Sequence, residues 1–136
     1  MKPFKEYFDS ELICEMSNIN PKDHNLGIDI KLHILQPGDK QLQHGPRIKC
    51  IKRNSNFDFS ISLNVDVNKI MLIGDYAPLI STKEYNILLN YIKKYRIPFL
   101  NMWYDPYMDQ HELFSQMEEL DGGFEVALVL PTKNKV

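Results

Sequence analysis

The feature that most constrains this chain is a strict alternation of apolar and polar residues in two separate stretches. Ile28, Ile30, Leu32 and Ile34 alternate with Asp29, Lys31 and His33, and Phe57, Phe59, Ile61 and Leu63 alternate with Asp58, Ser60 and Ser62. A period of two suits a strand with one face buried and one face wet, and no helix can bury such a set on one side. The first stretch ends at Pro37-Gly38-Asp39, a turn triplet. Between the two, Arg47 to Lys52 predicts a further strand, with Ile48 and Cys50 inward and Arg47 and Lys49 outward. Arg53-Asn54-Ser55-Asn56 supplies the hairpin turn that follows it. Lys69 to Ile73 predicts a fourth, less patterned strand, placed centrally.

Helical signals take over after residue 80. Ser81-x-x-Glu84 matches a capping box, with Ile80 positioned to staple onto Tyr85, and Tyr85, Leu88, Leu89 and Ile92 form one apolar face. Pro98 ends that helix or begins the next, in which Phe99, Leu100, Met102 and Trp103 are apolar. Asp109-x-x-Glu112 opens a third helix whose inner face is Leu113, Phe114, Met117 and Leu120, ending at Gly122-Gly123. Phe124 to Leu130 is expected to add an edge strand, and residues 131–136 a frayed tail. Residues 1–26 are ambiguous: Phe4, Tyr7, Phe8 and Leu12 have the spacing of a short helix, while Leu12-Ile13-Cys14 could begin a strand.

The expected fold is therefore α+β: a small antiparallel sheet of about four strands packed against two or three C-terminal helices. At 136 residues, 43% hydrophobic and 25% charged, the chain suits one globular domain over 1–136. The predicted core comprises Phe57, Phe59, Ile61, Leu63, Leu88, Leu89 and Ile92. The longest apolar run is about five residues, against roughly 20 for a membrane-spanning helix. With Lys2, Lys5, Glu6 and Asp9 near the start, this points to no membrane and to the cytoplasm. Thirteen Lys against three Arg, with fourteen Ile and eleven Asn, is the usage of an AT-rich coding sequence, as in a low-GC bacterium or its phage.

The formal net charge of −2 argues against wholesale adhesion to nucleic acid, but the charges are segregated. Lys40, His44, Arg47, Lys49, Lys52 and Arg53 occupy a stretch without acids. Asp105, Asp109, Glu112, Glu118, Glu119, Asp121 and Glu125 occupy one without Lys or Arg. Each block is either a solvated surface or a recognition site. The candidate binding residues are His44, Arg47, Lys49 and Arg53 in the basic strand, and Tyr104, Asp105, Tyr107, Asp109, Glu112, Glu118 and Glu119 in the acidic segment. Tyr104 and Tyr107 are expected to be exposed, whereas Trp103 closes the core. Asp105, Asp109 and Glu112 are expected to share one helical face, so that reversing Asp109 and Glu112 to Lys slows binding and leaves the melting temperature nearly unchanged.

Metal, nucleotide and serine-nucleophile chemistry find no support in spacing. His24, His33, His44 and His111 form no His-x3-His pair, the glycines form no phosphate-binding loop, and no nucleophile elbow occurs. Cys14 and Cys50 are expected to be buried thiols. His44, Arg47 and Lys49, with His33 on the adjacent strand, offer a base and cations, the minimum for metal-free RNA cleavage. The simpler reading, which the sequence favours over catalysis, is that Gly45-Pro46 makes a tight turn and Arg47 and Lys49 solvate the outer strand face.

His44-Gly45-Pro46-Arg47-Ile48-Lys49, followed by a Phe/Ile/Ser strand, an amphipathic helix and Phe99-Leu100-x-x-Trp103, resembles a family of small bacterial and phage domains of unknown function. The similarity spans roughly residues 25–105. Some members look like halves of toxin–antitoxin-type pairs and others occur as accessory genes of mobile elements. Many relatives carry a second histidine in the turn; here it is absent, so no metal or catalytic role is carried over.

Three functions are consistent with the sequence. The leading one is a non-catalytic interaction protein of phage or mobile-element origin, using no cofactor, that binds a host or defence protein such as a nuclease with a basic channel. The second is an RNA-binding or RNA-cleaving toxin-like protein, and the third a homodimer joining basic strand to acidic helix.

Overall fold

The computed structural model describes residues 16–21, 26–35, 45–52 and 55–129. Strands β1 (Met16–Ile19), β2 (Ile30–Leu35), β3 (Arg47–Lys52), β4 (Asp58–Ser62) and β5 (Leu72–Ile73) form one antiparallel sheet in the order β1-β2-β3-β4-β5. Helices α1 (Thr82–Lys94), α2 (Arg96–Tyr104) and α3 (Gln110–Asp121) follow. The fold is α+β, with helices C-terminal to the sheet. One strand, β1, arises in the segment whose sequence was ambiguous.

Register converts the alternation into two faces. Ile19, Leu32, Cys50 and Phe59 lie side by side across four strands, and Ile34, Ile48, Ile61 and Leu72 form the next row. Against these rows pack Leu88 and Ile92 of α1, Phe99, Leu100 and Met102 of α2, and Leu113 and Met117 of α3. Cys50 is a buried free thiol within this core. Tyr76 and Tyr85 stack at 4.0 Å, and both rings meet Phe59 at 6.4 Å.

The helix boundaries follow their capping chemistry. Ser81 Oγ accepts the Glu84 N–H at 3.1 Å and the Glu84 carboxylate accepts the Ser81 N–H at 3.0 Å, completing the capping box. Pro98 stands in the first turn of α2, where a missing N–H costs no helical bond. Pro98 to Trp103 are all buried, so α2 is a core helix.

Four expectations need correction. Phe57 is 70% exposed, because it precedes β4 and the alternation runs past the end of the packed sheet. Leu89 is only half-buried, on the margin of the core. The strand expected over Lys69 to Ile73 is shorter and sits at an edge: Asp66 accepts the Asn68 N–H and coils Val67–Lys69 into a 3-10 turn, leaving two residues to pair with β4. Residues 124–129 are irregular, with no edge strand. Their backbone is held by a side chain: fully buried Asn101 donates from Nδ2 to the Ala127 carbonyl at 3.0 Å and accepts the Val129 N–H at 2.7 Å. The same amide donates to Gln116 Oε1 of α3 at 3.0 Å. The residues assigned from sequence to an N-terminal helix, to the Pro37-Gly38-Asp39 turn and to the C-terminal tail lie outside the described residues, as does Cys14.

The two phenylalanines provide a direct check on register. Phe59→Ala is expected to cost about 3–5 kcal/mol in denaturant unfolding, and Phe57→Ala under about 0.5 kcal/mol. Equal losses at the two positions would contradict the observed register.

Candidate functional site

The parity that sends Leu32, Ile34, Ile48 and Cys50 inward sends Lys31, His33, Arg47 and Lys49 to the opposite face, away from the three helices. His33 lies opposite Lys49, Lys49 opposite Ser60, and Arg47 opposite Ser62. Asn18 of β1 and Ile73 of β5 complete the His33 row. Two residues along a strand span roughly 7 Å, so Arg47 and Lys49 are neighbours on this surface. Lys31 and Lys49 are exposed, and His33 and Arg47 half-buried. Asp58 supplies the acid: its carboxylate lies 3.6 Å from the Lys49 ammonium.

Electrostatics on this face act on the imidazole. Burial, then the positive charges of Lys31 and Lys49, lower the pKa of His33, with Asp58 opposing them. His33 is thereby favoured as a neutral ring between two ammonium groups. Cys50, on the other side of the sheet, has its thiol pushed up by burial, so it is no nucleophile at neutral pH. Among the described residues, no group of three or more His, Cys, Asp or Glu side chains could hold a metal ion.

At one end of the sheet a cleft of about 410 Å³ is lined by Asn20, Asp29, Lys31, Ile51, Lys52 and Ser55, among others. Lys31 therefore belongs to both the cleft and the basic face. The alternation of β2 could have placed it with Arg47 and Lys49, since it shares the outward parity of His33.

Of the sequence-derived basic set, the structure places Arg47 and Lys49 together; His44 and Arg53 lie outside the described residues. The acidic set divides. Asp105 closes α2 instead of sharing a face of α3, and its carboxylate accepts the Tyr107 N–H at 2.9 Å. Asp109 is the N-cap of α3 and accepts the Glu112 N–H at 2.9 Å. Reversing Asp109 to Lys is therefore not silent for stability, because loss of such a cap costs about 1 kcal/mol. Glu112 accepts from Gln116 Nε2 at 3.1 Å. Glu118 and Glu119 are exposed on α3. Tyr107 is 92% exposed, as expected, whereas Tyr104 is half-buried against the core and Trp103 is buried. Asp121 is joined to the end of α1 by Lys94 at 3.1 Å and by the Tyr95 hydroxyl.

The depressed pKa of His33 fixes a sign. Below its ordinary value of 6.5 the unfolded chain takes up a proton that the folded chain resists, so folding stability falls as pH drops from 6.5 toward the folded-state value. His33→Gln is expected to flatten the melting-temperature profile in that window. An unchanged acid slope in the variant would show that His33 carries no such strain.

Comparison with protein-family models, curated proteins and solved structures found no match to this chain.

Proposed function

We propose that this chain is a non-catalytic binding protein that attaches to a partner protein through the open face of its sheet and modulates it. The observation that carries this is the gathering of Lys31, His33, Arg47 and Lys49 from two adjacent strands on the side opposite the helices. An acidic patch on the partner complements it. Protein is favoured over RNA by the composition of the face: among its described side chains none is aromatic, so bases have no stacking platform. Met71 and Ile73, 62% and 46% exposed, instead offer apolar contact beside the cations. The resemblance noted in the sequence supports a phage or mobile-element origin, and with it a host or defence protein as the partner.

A second mode rests on the acidic side. Exposed Tyr107 with Glu112, Glu118 and Glu119 suits insertion into the basic channel of a nuclease, although Asp105 and Asp109 already serve their own backbone. RNA cleavage draws its support from the neutral imidazole of His33 beside two lysines. A dimer joining the basic face to the acidic helix is disfavoured: the surfaces lie on opposite sides of the sheet, so the contact would be head-to-tail and would not close as a two-fold pair.

Capture from a low-GC bacterial lysate with paired variants separates these modes. Lys31→Glu with Arg47→Glu is expected to abolish capture of a specific protein, while Glu118→Lys with Glu119→Lys retains it. The reverse pattern would move the interface to α3, and retention by both variants would sink the charge-based interface altogether. Cleavage of RNA by purified protein, lost in His33→Gln, would establish the toxin-like alternative.

A further inference from the structure

β5 ends the strand order, and no described strand pairs with its outer side. The Ser62 N–H donates to the Met71 carbonyl at 2.8 Å, so Met71 turns its backbone toward β4. Alternation along an antiparallel ladder then turns the N–H and C=O of Leu72 outward, away from β4. An edge of this kind is a template for another strand. Met71 and Ile73, flanking Leu72 on the open face, are among the exposed large hydrophobic residues.

We propose that β5 is the seam of a two-fold dimer, pairing antiparallel with β5 of a second copy about Leu72. Charge complementarity selects both occupant and register. A two-fold centred on Leu72 sets Met71 opposite Ile73 of the second copy, and brings Lys69, in the turn before the strand, to the same end of the seam as Asp75 of the second copy, which follows the Gly74 bend, each relation occurring twice. Lys69 and Asp75 are both exposed. Centring on Met71 instead would set Lys69 against Ile73 and lose the opposite charges. Centring on Leu72 pairs the outward N–H and C=O of Leu72 with those of Leu72 in the second copy. Ile70 already has extended backbone, with φ −78° and ψ 121°. Gly74, with φ +104°, bends the chain after β5 and keeps the seam short.

The consequence reaches the open face. A two-fold perpendicular to the sheet keeps both open faces on one side, giving a ten-stranded sheet. Its centre is the apolar strip of Met71 and Ile73, and Lys31, His33, Arg47 and Lys49 repeat on either flank. Unlike a contact between the basic face and the acidic helix, this interface is isologous and closes at two copies.

Sedimentation velocity over a concentration series tests the seam by charge swapping. The wild-type chain is expected to show a reversible monomer–dimer equilibrium. Lys69→Glu or Asp75→Lys alone turns two attractive contacts repulsive, and each is expected to weaken dimerisation roughly tenfold. Combining Lys69→Glu with Asp75→Lys should restore it. Because Asp75 also accepts the Ala77 N–H at 3.0 Å, amide exchange of the wild-type chain supplies a readout independent of any variant. The Leu72 amide should exchange more slowly as protein concentration rises. A wild-type chain that stays monomeric would leave the edge to another protein's strand and overturn the proposal. A dimer indifferent to the single reversals, or a Leu72 amide indifferent to concentration, would place the interface elsewhere and overturn it equally.

Discussion

The structure depends on burying one parity of four neighbouring strands. Ile19, Leu32, Cys50 and Phe59 form one inward row and Ile34, Ile48, Ile61 and Leu72 the next, and a one-residue slip in any pair would trade these for Lys31, His33, Lys49 or Ser60. Burying a Leu, Ile or Phe side chain is worth about 1.5–3 kcal/mol, so several such losses together exceed what a small domain can spare. The core that fixes register also fixes the candidate site. Arg47 and Lys49 face outward because Ile48 and Cys50 must face inward.

This coupling explains what could be read from sequence. β2, β3 and β4 are short-range patterns with turn residues between them, and the capping boxes at Ser81 and Asp109 are contained within four residues each. Those elements formed where their local chemistry placed them. The segment after Gly123 did not, because its partner is remote: Val129 bonds to Asn101, 28 residues earlier. The apolar run from Val126 has strand composition, yet the receiving group is a buried side-chain amide instead of a neighbouring backbone. No periodicity encodes that arrangement. Phe57 fails for a related reason, since alternation marks the parity of a residue and says nothing about whether a helix covers it.

The acidic segment shows how one residue can satisfy two sequence patterns with only one of them structural. Asp105 and Asp109 belong to a charge block, and each also stands two or three residues ahead of a backbone N–H that needs an acceptor. In the folded chain the local bond is made at both positions, and these bonds order the turn that presents Tyr107. The charges remain, but their placement answers to the ends of α2 and α3. Glu118 and Glu119 stand exposed in the last turn of α3, away from the N-terminal turn that Asp109 caps.

The two charge blocks of the sequence lie on different layers, with Lys31, Arg47 and Lys49 on the open sheet face and Glu112, Glu118 and Glu119 on α3. The basic face is not uniformly attractive to anions, because Asp58 holds Lys49 at 3.6 Å and the neutral state of His33 withholds a further charge. A half-exposed ion pair of this type adds between 0 and about 1 kcal/mol to stability, so its main effect is on the potential of the surface. Lys31 and Arg47 are left as the stronger electrostatic contributors, on adjacent strands and on either side of the His33–Lys49 row. Acidification would add a third positive centre between them as His33 takes up its proton. The proposed affinity of this face for an acidic partner would thereby be linked to the same titration that weakens the fold.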